Sequence, residues 1–233
     1  MTSIYAHRGS AGPAVPENTL DAFRSAAGLG ADGVELDVRR TSDGFLVIHH
    51  DIEAPGLGPI SGCHRGDLPD WVPTLVEALD VCAELGLEVN VEVKSEVVGP
   101  SHDPEERCAA ESAAVCAAAG AEARIIVSSF SVAALSAVRE VSSDLRLAWL
   151  VGLAGTAATP PWSGGILASL SLDGVHPHDA TTSSEYVRRA HDDGLAVRVW
   201  TVDAPARVAE LANFGVDGII TNDVPAALRA LGR

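Results

Sequence analysis

A chain of 233 residues, 47% of them hydrophobic and 21% charged, has the size and composition of a globular protein with one large domain or two small ones. Its formal net charge of −16 argues against a nucleic-acid binder, which needs a basic footprint to displace counterions from phosphates, and against adhesion to an anionic membrane surface. The four cysteines, Cys63, Cys82, Cys108 and Cys116, form no Cys-x-x-Cys pair and have no histidine at zinc-finger spacing. No disulfide framework is expected, and Cys82 and Cys108 read as small buried hydrophobes.

The first β-type run is Ser3–Ala6. A helix is predicted over Thr19–Gly28, with Leu20, Phe23, Ala26 and Ala27 on one face. Gly33–Arg39 and Phe45–His49 read as two strands. Only Arg40-Thr-Ser-Asp-Gly44 separates them, and Asp-Gly is hairpin chemistry. A parallel crossover needs about a dozen residues, so Phe45–His49 is expected to run antiparallel as an accessory strand. The Gly/Pro-rich Ile52–Val72 follows as a short cap-like insertion. Pro73-Thr74 opens a helix containing Leu75, Leu79 and Cys82. Strand Glu88–Val93, helix Glu105–Ala119, strand Ile125–Ser128, helix Val132–Val141 and strand Leu147–Val151 come next. After a second irregular stretch, Gly152–Leu167, the alternation resumes: Gly174–His176, Ser184–Asp192, Ala196–Thr201, Ala206–Phe214, Gly218–Thr221 and Val224–Leu231. Glycines lie beyond several of these helices, where a left-handed cap is needed.

Without the accessory strand there remain eight strands, nearly all separated by helices. That pattern predicts an α/β fold, a (β/α)8 TIM barrel filling residues 1–233 as a single domain. A doubly wound sheet lacks its Gly-x-Gly-x-x-Gly after the first strand. No window approaches 18 uninterrupted apolar residues, and the first residues have no basic region followed by an apolar one. The expectation is a soluble, reduced, cytoplasmic protein without stable membrane insertion.

In such a barrel the chemistry sits at the C-terminal ends of the strands. Those ends carry His7-Arg8, Glu35 with Asp37, His49-His50-Asp51, Glu92 with Lys94, Ser128-Ser129-Phe130, His176, Trp200-Thr201 and Thr221-Asn222-Asp223. Glu35 and Asp37 share one face of their strand, because side chains alternate with period two. Crowded carboxylates repel unless a cation neutralises them, and with Glu92 the set suits a hard divalent ion such as Mg²⁺ or Ca²⁺. The competing reading makes Glu35 and Asp37 exposed rim acids paired with Arg39 or Arg40. His7 and one of His49 and His50 are candidate general acid and base, and periodicity alone does not choose between the adjacent pair. His64, His102 and His191 read as structural. Arg8 and Lys94 suit an anionic oxygen. Together these parts spell metal-assisted cleavage of a phosphodiester.

The chain resembles the glycerophosphodiester phosphodiesterases. The resemblance rests on Ala6-His-Arg-Gly9, Pro16-Glu-Asn-Thr19, Gly30 through Asp37, Thr41 through Gly44, Val47-Ile-His-His-Asp51, Pro73-Thr-Leu75, Asn90-Val-Glu-Val-Lys94, Ser128-Ser-Phe130, Val199-Trp-Thr-Val202 and Gly215 through Asp223. It implies a barrel hydrolase releasing glycerol 3-phosphate and an alcohol from a small glycerophosphodiester. It implies His7 and His50 as the acid–base pair, with His49 facing away, and Glu35, Asp37 and Glu92 as metal ligands. Arg8 and Lys94 would contact phosphate, Glu17 would sit close to the metal or substrate, and Trp200 would bind substrate. Two alternatives are a related barrel phospholipase, with an apolar rim from Leu57, Ile60, Trp71, Trp162 and Ile166, and a non-catalytic phospho-ligand-binding barrel. The sequence departs from the family after Asp51, where Ile52-Glu-Ala-Pro-Gly-Leu-Gly58 stands, and at Asp203, which ends the Trp-Thr-Val motif.

Overall fold

The computed structural model describes residues 1–12, 15–96, 98–99, 101–120, 124–153, 162 and 168–233. Its strands are β1 (Ser3–His7), β2 (Gly33–Arg40), β3 (Leu46–Ile48), β4 (Glu53–Ala54), β5 (Gly58–Pro59), β6 (Glu88–Val93), β7 (Ile125–Ser129), β8 (Arg146–Val151), β9 (Gly174–Pro177), β10 (Ala196–Val199) and β11 (Gly218–Thr221). Its helices are α1 (Leu20–Gly28), α2 (Leu75–Leu85), α3 (Arg107–Ala118), α4 (Val132–Val141), α5 (Ser184–Asp192), α6 (Pro205–Phe214) and α7 (Val224–Ala230).

Eight strands are parallel and close into a ring, β1-β2-β6-β7-β8-β9-β10-β11, with β11 pairing back onto β1. β3 hangs outside the ring, antiparallel to β2, with Val38 opposite Ile48 and Arg40 opposite Leu46. The turn that allows this is closed by Thr41, whose hydroxyl donates to Asp43 at 2.6 Å and accepts from the Phe45 amide at 2.9 Å. The expected barrel and accessory strand are both present.

The local chemistry explains the helix starts. Thr19, Thr74, Ser131, Ser183 and Asp223 each cap a helix with a side-chain oxygen. Thr74 and Glu77 form a reciprocal capping box. Three expectations need adjustment. β10 stops at Val199, and Trp200 contributes only an isolated bridge to His178. The insertion after His50 contains a small antiparallel pair, β4 with β5, that period-two reasoning missed because each strand is two residues long. Cys108 is half-buried rather than fully enclosed, whereas Cys82 is buried. The expected rim loop over Gly152–Leu167, including Ile166, falls largely outside the described residues. No helix among the described residues is long and apolar enough to cross a membrane.

The ring separates two interiors. Ile4, Val34, Leu36, Val91, Val127, Val175 and Ile219 point outward and pack against the helices. The alternate residues point inward. The ladder partners step once per strand, as a shear of about eight requires, so inward residues of alternate strands share a height. One layer holds Tyr5, Asn90, Ala148 and Arg198. The next toward the C-terminal mouth holds Glu35, Ser128, His176 and Ile220. Above it lie His7, Glu92, Leu150 and Trp200. Near the bottom, Gly33 is a glycine because a Cβ there would stand 2.7 Å from the Tyr5 ring.

The insertion has its own small core of Ala54, Ile60, Cys63, Leu68 and Val72 against Val47. Ile60 and Trp162 are buried and Trp162 donates to Asp193, so neither contributes to an apolar rim; Leu57 and Trp71 remain exposed.

Candidate active site

Glu35 and Asp37 leave β2 on the inward face, and Glu92 does so on β6. The three are buried, and one carboxylate oxygen from each lies within 4.8 Å of the others. This excludes the rim-acid reading: Arg39 instead pairs with Glu96, and Arg40 with Glu111. Glu92 is the ladder partner of Asp37, which fixes their approach before any side chain is placed.

Two cations enter the cluster. Lys94 Nζ lies 2.8 Å from Asp37 Oδ1 and also bonds Glu92. Arg8 Nε lies 3.3 Å from Asp37 Oδ2, while Arg8 Nη1 donates to Glu17 at 2.8 Å. Arg8 and Asn18 both adopt a left-handed backbone, at φ 56° each, which costs a side-chain-bearing residue energy and is characteristic of functional positions. The unusual turn aims the Arg8 amide at Glu35 Oε2, at 3.0 Å. Asn18 donates its Nδ2 to Asp37 at 2.8 Å and accepts the Asp37 amide.

The three acids are not equivalent. Burial raises Glu35 well above the usual carboxylate range, and the neighbouring charges of Asp37 and Glu92 push it further. Burial also raises Glu92, partly offset by Lys94. For Asp37 burial works upward, but Lys94, Asn18 and Arg8 outweigh it and hold the group below its ordinary value. Glu35 Oε1 is buried and has no hydrogen-bond partner among the described residues. A hard divalent ion fits this set: oxygen donors only, converging, with one oxygen unclaimed and more negative charge than the two cations compensate.

His7 stands above Glu35, with Nε2 3.9 Å from its Oε2. Its Nδ1 donates to Asn222 Oδ1 at 2.8 Å. Asn222 is held in that orientation because its Nδ2 and backbone amide both donate to Asp203, at 2.8 Å each. The proton is therefore on Nδ1, and Nε2 faces the site with a free lone pair. Burial lowers the His7 pKa, so the ring favours its neutral form.

His50 reaches the mouth by a different route. The His49 amide donates to the Asp37 carbonyl at 2.9 Å, and Arg39 forks onto the His50 carbonyl through Nε at 2.9 Å and Nη2 at 2.7 Å. The His50 ring donates from Nδ1 to Asp51 at 2.8 Å, leaving Nε2 free. His49 is also tied to Asp51, through that residue's carbonyl at 3.0 Å. Trp200 caps the far side, its Nε1 donating to the His176 carbonyl at 2.7 Å and its ring meeting Phe130 and His178 edge-on. Direct contacts thus join Glu35, Asp37, Glu92, Arg8, Lys94, Glu17 and His7, while His50 and Trp200 flank them. Asn18 and Asp203 are additions whose only sequence signal is their place inside or at the end of motif segments, and Asn222, already among the polar strand-end residues, gains a specific role. His64, His102 and His191 make local contacts with Asp43, the Glu96 carbonyl and Asp217, as structural histidines do.

The model of the glycerophosphoryl diester phosphodiesterase family matches residues 7–60 and 57–226. The chain belongs to that family. A glycerophosphodiester phosphodiesterase of Caldanaerobacter subterraneus is 31% identical over 95% of this chain and 94% of its own length. One from Bacillus altitudinis is 29% identical over 95% of each. Among solved structures, a phosphodiesterase of Oleispira antarctica in complex with the product sn-glycerol-3-phosphate superposes with a TM-score of 0.84 at 26% identity, covering 100% of this chain and 98% of that one. As a member of this family of glycerophosphoryl diester phosphodiesterases, the chain is a phosphoric diester hydrolase.

Proposed function

We propose that the chain hydrolyses small glycerophosphodiesters to glycerol 3-phosphate and an alcohol, using a divalent ion, Mg²⁺ or Ca²⁺, held by Glu35, Asp37 and Glu92. The observation that carries the reading is the convergence of these three buried acids beside Arg8, Lys94 and a neutral His7. The ion would supply charge stabilisation at the phosphoryl oxygens. Arg8 and Lys94 orient the phosphate, with Glu17 holding the Arg8 guanidinium from the solvent side. His7 accepts, at Nε2, a proton from the water that attacks phosphorus. His50 delivers a proton from Nε2 to the departing alkoxide, and its Nδ1–H on Asp51 keeps the ring in place. Trp200 packs against the carbon skeleton of the substrate, and the insertion over 52–72 covers the alcohol end.

The test measures glycerol 3-phosphate release from glycerophosphocholine, with and without a chelator, by wild type and His50→Ala. Metal-dependent turnover that falls about 10²- to 10⁴-fold in the variant is expected. Turnover indifferent to chelator removes the ion from the reading, and full activity of His50→Ala removes the acid. Wild-type protein that is loaded with metal but inert on every glycerophosphodiester favours the binding reading.

A further inference from the structure

The barrel interior contains polar groups that the proposed chemistry leaves unused. Asn90, Ser128 and His176 are at most 1% exposed. Both amide atoms of Asn90, the Ser128 hydroxyl and both ring nitrogens of His176 have no hydrogen-bond partner among the described residues. Glu35 Oε1 is in the same condition. A buried donor or acceptor left dry costs about 1–3 kcal/mol, and native interiors pair the great majority of such groups.

The strand registers place these residues in two adjoining layers of the barrel interior. Glu35, Ser128 and His176 belong to one inward layer, whose fourth member is Ile220. Asn90 lies in the layer beneath and is the ladder partner of Glu35. The small Ser128 and Ala148 leave the imidazole without a protein group that its nitrogens reach. Burial, and secondarily the charge of Arg198, keeps that imidazole neutral, so it offers one donor and one acceptor. Ser128 and Asn90 offer both kinds as well. Such a set meets the requirement of a buried water, which takes about 2–4 polar partners.

We infer an internal water site level with Glu35 and beneath Asp37 and Glu92, built by Asn90, Ser128 and His176, whose water donates to Glu35 Oε1. Ser128 and His176 are then positioning residues for that carboxylate, acting through the water. A carboxylate oxygen has two lone pairs, so Oε1 accepts this bond and still faces an ion. The water site stands on the geometry alone; its effect on metal affinity rests on the assignment of Glu35 as a ligand.

Two measurements test this. A crystal structure of the full chain, at a resolution that shows ordered solvent, is expected to place water within hydrogen-bond distance of Glu35 Oε1 and of Ser128, Asn90 or His176. Direct protein–protein pairing of these atoms, with no water between them, overturns the site. Titration of Mg²⁺ and Ca²⁺, each alone, into wild type, His176→Phe and Ser128→Ala is expected to show affinity reduced about 10-fold in the variants, as for other outer-shell partners, with melting temperature held or raised. Wild-type affinity in both variants, or a lowered melting temperature with unchanged affinity, overturns the positioning role. If His176→Phe fails to fold, Ser128→Ala decides. A wild type without phosphodiesterase activity overturns the proposed function while leaving the solvent map and the titrations readable, so the two failures are distinguishable.

Discussion

The two ends of the barrel handle charge in opposite ways. At the bottom, Tyr5 donates to Glu88 at 2.7 Å, Arg198 donates to the Tyr5 hydroxyl at 3.0 Å, and Arg146 bonds Glu88. Opposite signs alternate along this chain of contacts, and the Tyr5 hydroxyl, pushed by burial to about 12, stays protonated. At the mouth, three acids outnumber the two cations that reach them, Arg8 and Lys94, and Glu35 Oε1 has no hydrogen-bond partner among the described residues. The lesson is that buried charge holds a fold together where signs alternate, and prepares a site where they do not.

Glu35→Gln should break the mouth alone. The expected loss is about 10²- to 10³-fold in kcat, with melting temperature unchanged or raised, because a neutral amide relieves the repulsion; kinetics and calorimetry on the same preparation check both halves. Glu88→Ala should break the bottom alone. It strips Arg146 and Arg198 of their counter-charge at about 3 kcal/mol, lowering the melting temperature by about 6–12 °C while kcat/KM of the folded protein stays near wild type. Asn222→Leu frees the His7 ring from its tautomer-fixing bond, and kcat should fall about 10- to 100-fold with KM nearly constant. The smallest effect concerns His176, between the two ends. Burial holds its folded value well below 6.5, so the unfolded chain takes up a proton below pH 6.5 and the folded one does not. The stability it contributes is present above that pH and lost as pH falls, at up to about 1.4 kcal/mol per unit. Stability of His176→Phe relative to wild type, followed by denaturant unfolding from pH 7 to 5, should therefore improve as the solution is acidified.

The barrel was legible because periodicity and turn chemistry are local. Thr41 through Gly44 announced β3, and the alternation of Glu35 with Asp37 placed both on the inner face. The partners of those residues were not legible. His7 and Asn222 are 215 positions apart and meet only when β11 closes onto β1. His176 read as one more strand-end histidine, since period two tells that a residue points inward but not which layer it occupies. Layer membership depends on the shear of the closed ring, a property of all eight strands at once. The insertion after Asp51 hid its two-residue strands for a simpler reason, being too short to show any period.

The position of β3 outside the ring also bears on how such an enzyme can change. The strands of the ring carry the carboxylates and His7, with Arg8 and Lys94 directly after β1 and β6, whereas His50 and the insertion arrive on a branch tied to β2 by three ladder pairs. Chain added to or removed from the stretch between His50 and α2 lengthens or shortens this branch without altering ring closure. Closure of the ring and the length of this branch are therefore mechanically separable, and insertions grafted between related barrels should leave the ring unchanged.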